Sequence, residues 1–132
     1  MYEFHGWIAL AETSQEIDEG GLEQKIVRLQ TLLDTLDFSP SIAHIVIHNG
    51  RCTLSLHAYP NRRRSEADNL RELIEHIVES MPGSYGIVYE RDEQWELPHG
   101  RGLFCALVVK KGRWHIALDP FLSPNIPQIE DA

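Results

Sequence analysis

Histidine is the residue type in this chain with the clearest capacity for metal binding or proton transfer. The seven histidines are His5, His44, His48, His57, His76, His99 and His115. His44 and His48 would chelate one metal ion on a helix, but their surroundings predict a strand, on which four residues span about 13 Å. His57 is a diagonal neighbour of His44 in the predicted hairpin, so a metal site would still need a third ligand such as His5. We therefore predict neither a metal site nor another cofactor.

Nucleophilic catalysis has no recognisable motif in the sequence. The chain contains no Gly-x-Ser-x-Gly sequence and no phosphate-binding glycine loop, and local spacing brings neither cysteine beside a histidine. The paired carboxylates Glu90 and Asp92 are predicted to lie in or beside a loop, where solvated charge is the simplest interpretation. The sequence thus predicts a protein that is not an enzyme. The alternative is a small metal- or ligand-binding or enzymatic module that uses a histidine-bearing sheet face.

Length and charge narrow the class of protein further. A chain of 132 residues is expected to form one domain. Its net charge of −8 argues against a nucleic-acid partner, because nucleic-acid binders present a basic face. The same charge favours a basic protein partner, since opposite charges steer encounter.

Several features predict a cytoplasmic protein. No apolar run approaches the roughly 20 residues that span a bilayer, so no membrane association is expected. The first residues, MYEFHGW, lack the basic and apolar regions of a signal peptide. Cys52 and Cys105 fall at inward positions of predicted strands, where they are expected to be buried and free in a reducing compartment.

The best-defined element is a β-hairpin over residues 42–59. Asn49-Gly50 is the preferred sequence of a type I′ turn, which needs positive φ at both central residues. Such a turn pairs His48 with Arg51 and Ile47 with Cys52. In that register the apolar residues of the hairpin fall on one face and the polar residues on the other, and Val46 is the exception. The apolar face is predicted to contain Ile45, Ile47, Cys52, Leu54, Leu56 and Ala58.

The rest of the chain supplies two helices and four more strands. Alternation over residues 2–11 predicts a first strand, in which Gly6 indicates a bulge or a close backbone approach. Apolar residues at helical spacing predict helices over 21–37 and 65–81. Further strands are predicted at 84–91, 103–110 and 114–118, with an irregular loop over 92–102. The tail from Asp119 is rich in proline but too apolar to be free, so residues 119–132 are expected to pack on the body.

This order of elements predicts an α+β fold. The first six elements match the ferredoxin-like split β-α-β-β-α-β pattern. Right-handed crossovers place the first strand beside the third and both helices on one face of the sheet. Two additional antiparallel C-terminal strands are expected to extend the sheet beyond the fourth.

Two surfaces are candidates for binding a partner. The first is the loop after the first strand, where Glu12, Glu16, Asp18 and Glu19 form the largest acidic cluster without an evident counter-charge. A basic partner would associate faster with such a surface. The second is the sheet face that the helices leave uncovered, where aromatic side chains could anchor an interface. Its candidate residues are His5, Trp7, His57 and Tyr59.

Three stretches resemble one protein family. They are MYEFHGW at the start of the chain, PGSYGIVYERD at residues 82–92 and DPFLSPNIPQIED at residues 119–131. Together they resemble the immunity protein 7 family of bacterial polymorphic toxin systems, from end to end of the chain. The proline-rich apolar pattern of the third stretch is the most specific of the three.

The resemblance implies a binding function. A protein of this kind is made beside a secreted or contact-delivered toxin, stays in the cytoplasm, and protects the producer by binding the C-terminal toxin domain. It implies no catalytic residues. The expected partner is a basic toxin domain, for which a nuclease is one candidate, and the protein alone is expected to be a monomer or a weak dimer. A structural or oligomerising domain that uses a bare sheet edge is a third interpretation.

Overall fold

The computed structural model describes residues 2–13, 21–60, 65–97 and 100–122. These described residues form two helices and eight strands. The elements are β1 (Tyr2–Leu10), α1 (Leu22–Thr35), β2 (Ala43–His48), β3 (Arg51–Ala58), α2 (Ser65–Ser80), β4 (Tyr85–Asp92), β5 (Glu96–Leu97), β6 (Gly100–Arg101), β7 (Cys105–Lys110) and β8 (Arg113–Leu118).

Six strands form one sheet in the order β2-β3-β1-β4-β7-β8, and every neighbouring pair is antiparallel. The predicted α+β fold is confirmed. β1 lies beside β3 as expected, and nothing in the strand order conflicts with a ferredoxin-like core. β7 and β8 extend the sheet on the far side of β4, which confirms the two additional strands.

The β2–β3 hairpin has the predicted register. His48 pairs with Arg51 and Ile47 pairs with Cys52. The φ angles of Asn49 and Gly50 are 50° and 75°, as a type I′ turn requires. The inward face is buried near the middle of the sheet, but Ile47 at the hairpin tip is 68% exposed.

Both helices pack on the same face of the sheet and share one hydrophobic core with it. The helices contribute Leu29 and Leu33 from α1, and Leu70, Leu73, Ile74 and Ile77 from α2. The strands contribute alternate residues, which include Tyr2, Phe4, Ile8, Leu54, Leu56, Val88, Leu107 and Val109. α1 ends two residues earlier than predicted, because Asp37 adopts a left-handed φ of 57°.

β1 and β4 approach each other closely at Gly6. A Cβ atom there would lie 2.2 Å from the carbonyl oxygen of Ile87 and 2.6 Å from Cα of Val88. Gly86 makes the reciprocal approach, because its Cβ would lie 2.1 Å from the carbonyl oxygen of Trp7. The close approach predicted from Gly6 is therefore confirmed.

The prediction that Glu90 carries solvated loop charge is wrong. Glu90 lies within β4 and is 1% exposed. Its Oε1 accepts a hydrogen bond from Nη2 of Arg71 on α2 at 2.6 Å, and its Oε2 accepts one from the hydroxyl of Tyr2 at 2.6 Å. Burial of this carboxylate is stabilised by two partners that come from distant parts of the chain.

The connection between β4 and β7 is more ordered than predicted. Its two short strands β5 and β6 pair with each other, within a segment expected to be irregular. Arg91 joins this segment to the sheet, since its Nε donates to the carbonyl oxygen of Gly102 at 2.8 Å. No disulfide joins Cys52 and Cys105, and Cys105 is buried while Cys52 is partly buried.

The start of the C-terminal tail is anchored by Asp119. This residue is buried, its N–H donates to the carbonyl oxygen of Phe104, and its carboxylate accepts the N–H groups of Phe121 and Leu122. Phe121 is 78% exposed, and the packing of residues 119–132 on the body stays a prediction. Residues 123–132 lie outside the described residues. Neither helix of the described ranges has the length and apolar character needed to cross a membrane.

Candidate partner-binding surface

The sheet has one face that carries no helix. Along β1, the buried residues Phe4 and Ile8 alternate with His5 and Trp7, which point to the other side. We call this other side the open face and define it by His5, Trp7, His57, Tyr85 and His115. The predicted assignment of Trp7 and His57 to an uncovered face follows from the same alternation.

Three rings form a cluster at one end of the open face. The ring centroids of His5 and His57 lie 4.5 Å apart, and each lies 5.0 Å from the ring of Tyr59. Nδ1 of His5 lies 2.7 Å from Nδ1 of His57, a hydrogen-bond distance. Tyr59 is 58% exposed, so this cluster presents aromatic surface to solvent.

The buried carboxylate of Glu3 contacts the cluster through His5. Oε2 of Glu3 accepts a hydrogen bond from Nε2 of His5 at 2.7 Å, and Oε1 of the same residue lies 3.5 Å from Nη1 of Arg91. Glu3 is 8% exposed and Arg91 is 5% exposed. The orientation of His5 is thus fixed by an ion pair that the sheet itself holds in place.

A second aromatic contact lies further along β1. The rings of Trp7 and Tyr85 meet edge to face with centroids 6.1 Å apart, and both side chains are close to half exposed. Sequence reasoning identified Trp7 but missed Tyr85. The signal was available, because Tyr85 alternates with Gly86 and Val88 in the same way that Trp7 alternates with Gly6 and Ile8.

The histidines of the open face do not have the geometry of a metal site. Two nitrogens bound to one tetrahedral zinc ion at about 2.0 Å would lie roughly 3.3 Å apart, longer than the His5–His57 contact. No group of three or more histidine, cysteine or carboxylate side chains in the described ranges is arranged to hold a metal ion. His44 pairs in the sheet with Ser55, one strand further from His5.

The acidic loop is only partly described. Oε1 of Glu12 forms an ion pair with Nζ of Lys25 at 3.0 Å, and the Glu12 side chain is 11% exposed. Glu12 therefore has a counter-charge, contrary to the expectation for this cluster. Its Oε2 is buried without a hydrogen-bond partner. Glu16, Asp18 and Glu19 lie outside the described residues.

Comparison with known proteins identified one family. The family model described as Immunity protein 7 matches residues 1–131 of the 132-residue chain. The comparisons with curated proteins and with solved structures found no match.

Proposed function

We propose, because the chain belongs to the immunity protein 7 family, that it binds the C-terminal domain of a cognate bacterial polymorphic toxin and neutralises it by stoichiometric association. The site of action in this proposal is the cytoplasm of the producing cell. Inhibition requires occupation of a toxin surface and no chemical step by the immunity protein. The residues proposed to contact the toxin are Trp7, His57, Tyr59, Glu12, Glu16, Asp18 and Glu19.

The observation that carries the proposal is the exposure of aromatic side chains on the open face. Trp7 is 46% exposed and Tyr59 is 58% exposed, and both lie on the side of the sheet opposite the hydrophobic core. Tryptophan and tyrosine are enriched among residues that dominate binding energy at protein interfaces. Grouped aromatic exposure of this kind supports the proposal that the open face is an interaction surface.

The supporting sheet favours tight association. β1 pairs along most of its length with both β3 and β4, so the backbone that carries Trp7 is held on two sides. His5 is oriented by Glu3, and His57 and Tyr59 pack against His5. A surface that is ordered before binding loses less conformational entropy when the complex forms.

The acidic loop supplies an electrostatic contribution in this proposal. A net charge of −8 attracts a basic toxin domain, and a nuclease is one candidate because its active site must attract phosphate. Glu16, Asp18 and Glu19 would raise the rate of association. Glu12 is expected to contribute less, since Lys25 already neutralises it.

Co-expression with the polypeptide encoded immediately upstream in the source genome tests the function. We expect a toxic C-terminal domain to co-purify with the protein in a fixed molar ratio and to lose its toxicity. An upstream polypeptide that is harmless when expressed alone, or that fails to bind, would contradict the proposal. An inactivated toxin variant that still co-purifies would show that binding does not depend on toxin activity.

A further inference from the structure

The β7–β8 hairpin places a group of basic side chains on the open face. Lys110 pairs across the hairpin with Arg113, and Val108 pairs with His115. Since Leu107 and Val109 point into the core, Lys110, Arg113 and His115 point to the open side. Lys111 occupies the turn with a φ of 53° and is exposed. We call Lys110, Lys111, Arg113 and His115 the basic patch.

The cations of this patch differ from three others in the chain, which have acidic partners. Lys25 pairs with Glu12, Arg71 with Glu90 and Arg91 with Glu3. Among the described residues, no carboxylate forms an ion pair with the cations of the basic patch. In a chain with 20 acidic residues and 12 lysines and arginines, a cluster of cations without an ion pair in the described ranges is unexpected from composition alone.

The patch continues the aromatic surface of the open face. Trp7 pairs with Ile87, Ile87 with Val108, and Val108 with His115, so these four residues form one row across four strands. In the neighbouring row, the pairing of Gly86 with Val109 places Tyr85 beside Lys110. The apolar and aromatic side chains of these two rows therefore lie directly beside the cations of the basic patch. The four side chains of the patch line a half-open depression of about 380 Å³.

We infer that the basic patch binds the carboxylates of an acidic polypeptide segment, which in the proposed complex belongs to the toxin. This inference rests on the proposed function and adds a second charge relationship to it. The toxin would present basic residues toward the acidic loop and acidic residues toward the β7–β8 hairpin. Arg113 suits this role, because its guanidinium can bind a carboxylate through two hydrogen bonds.

A polypeptide fits this surface better than a nucleic acid. A chain of net charge −8 repels a polyanion at long range. The two lysines and one arginine of the patch would neutralise few phosphates. Carboxylates on a folded protein can approach together with apolar side chains that cover Trp7 and Tyr85. Such a partner gains from burial of the aromatic row as well as from ion pairing.

A charge-matched pair of variants tests the inference against the upstream toxin domain. Lys110→Glu with Arg113→Gln changes the net charge by −3, and so does the control Gln24→Glu with Arg28→Glu on the exposed side of α1. All four positions are exposed, so both variants are expected to keep the melting temperature of the parent. We expect the patch variant to bind the toxin about tenfold more weakly, and the control to bind within about twofold of the parent. Equal or tighter binding by the patch variant would overturn the inference.

A second arm needs no toxin and separates failure of the inference from failure of the proposed function. An octapeptide of alternating glutamate and leucine is titrated into the ¹⁵N-labelled parent chain, and an oligothymidylate of equal charge is titrated in parallel. The inference predicts peptide-induced shifts at Lys110, Lys111 and Arg113 that are absent in the patch variant. No shift at these residues, or larger shifts with the oligonucleotide, would overturn it. If the parent does not bind the upstream polypeptide, the proposed function fails while this titration still decides the chemistry of the patch.

Discussion

The imidazole rings of His5 and His57 share one proton, because their Nδ1 atoms lie 2.7 Å apart and one must donate while the other accepts. Nε2 of His5 faces the carboxylate of Glu3, which can only accept when ionised. A neutral His5 therefore carries its proton on Nε2 and accepts at Nδ1. His57 must then carry a proton on Nδ1. The two histidines of the candidate interface thus have defined and different tautomers.

Ring ¹⁵N spectroscopy at neutral pH tests this assignment. We expect the Nε2–H tautomer for His5 and the Nδ1–H tautomer for His57, with His115 as an exposed reference in the same spectrum. An Nε2–H tautomer at neutral His57 would contradict the assignment.

Removal of the indole of Trp7 should weaken toxin binding more than removal of an exposed apolar side chain outside the open face. Trp7→Ala is expected to reduce affinity at least 30-fold, equivalent to about 2 kcal/mol, the loss typical of an interface hot spot. Val27→Ala is the matched control, because Val27 is 63% exposed on α1 and lies on the opposite side of the sheet. Calorimetric titration with the inactivated toxin domain measures both. Similar affinities for the two variants would place the interface elsewhere.

Reversal of charge in the acidic loop should slow association. For Asp18→Lys with Glu19→Lys we expect the association rate constant to fall about tenfold at low salt, with a small change in the dissociation rate. The difference from the parent should shrink as ionic strength rises, because salt screens interactions between exposed charges. Surface plasmon resonance at two salt concentrations measures this. An unchanged association rate at low salt would remove the acidic loop from the proposed interface.

Arg71 and Glu90 should be coupled in the free energy of unfolding. Arg71→Leu is expected to cost about 3–5 kcal/mol, because it leaves the buried Glu90 carboxylate with only the hydroxyl of Tyr2. The double variant with Glu90→Leu should cost much less than the sum of the two single variants. Urea unfolding of the four proteins gives the coupling. Additive losses would mean that the 2.6 Å contact contributes no specific stabilisation.

Two glycine-to-alanine variants should differ in stability for distinct reasons. Gly6→Ala places a methyl group 2.2 Å from the backbone oxygen of Ile87, so the β1–β4 pairing must shift, and we expect a loss above about 3 kcal/mol. The methyl group added by Gly50→Ala would have no atom within 4 Å. This variant is expected to lose about 1–2 kcal/mol of unfolding free energy through the positive φ of residue 50 alone. Thermal unfolding ranks the two. A smaller loss at Gly6 than at Gly50 would contradict the close approach of the strands.

Local sequence patterns were sufficient for much of the fold. Asn49-Gly50 determined both the turn and the register of the hairpin. Alternation in β1 placed Trp7 and Ile8 on opposite faces of the sheet. Contacts between distant segments could not be obtained in this way. Glu90 was misplaced because its partners are 19 and 88 residues away, and its burial depends on how α2 lies across β4.

In the candidate site, too, local patterns predicted the face of a residue but not its contacts with distant segments. His57 was assigned to the correct face from the hairpin alone, but its contact with His5 depends on the pairing of β1 with β3, in which these two residues are direct partners. The basic patch was missed because its four residues belong to two strands and a turn, and each cation alone is an ordinary surface residue. The clustering of these cations, and the lack of an ion pair to them among the described residues, can be seen only in the tertiary structure.

The two-sided sheet has a consequence for how such a protein can diversify. Every second residue of β1 belongs to the packed interior, and the residues between them belong to the surface, so substitutions at His5 or Trp7 leave the contacts of Phe4 and Ile8 intact. The residues of β1 proposed to contact the toxin can therefore change without loss of the packed interior. Specificity for a new toxin could arise by substitution of exposed residues of the sheet. Packing would meanwhile constrain the residues of the interior.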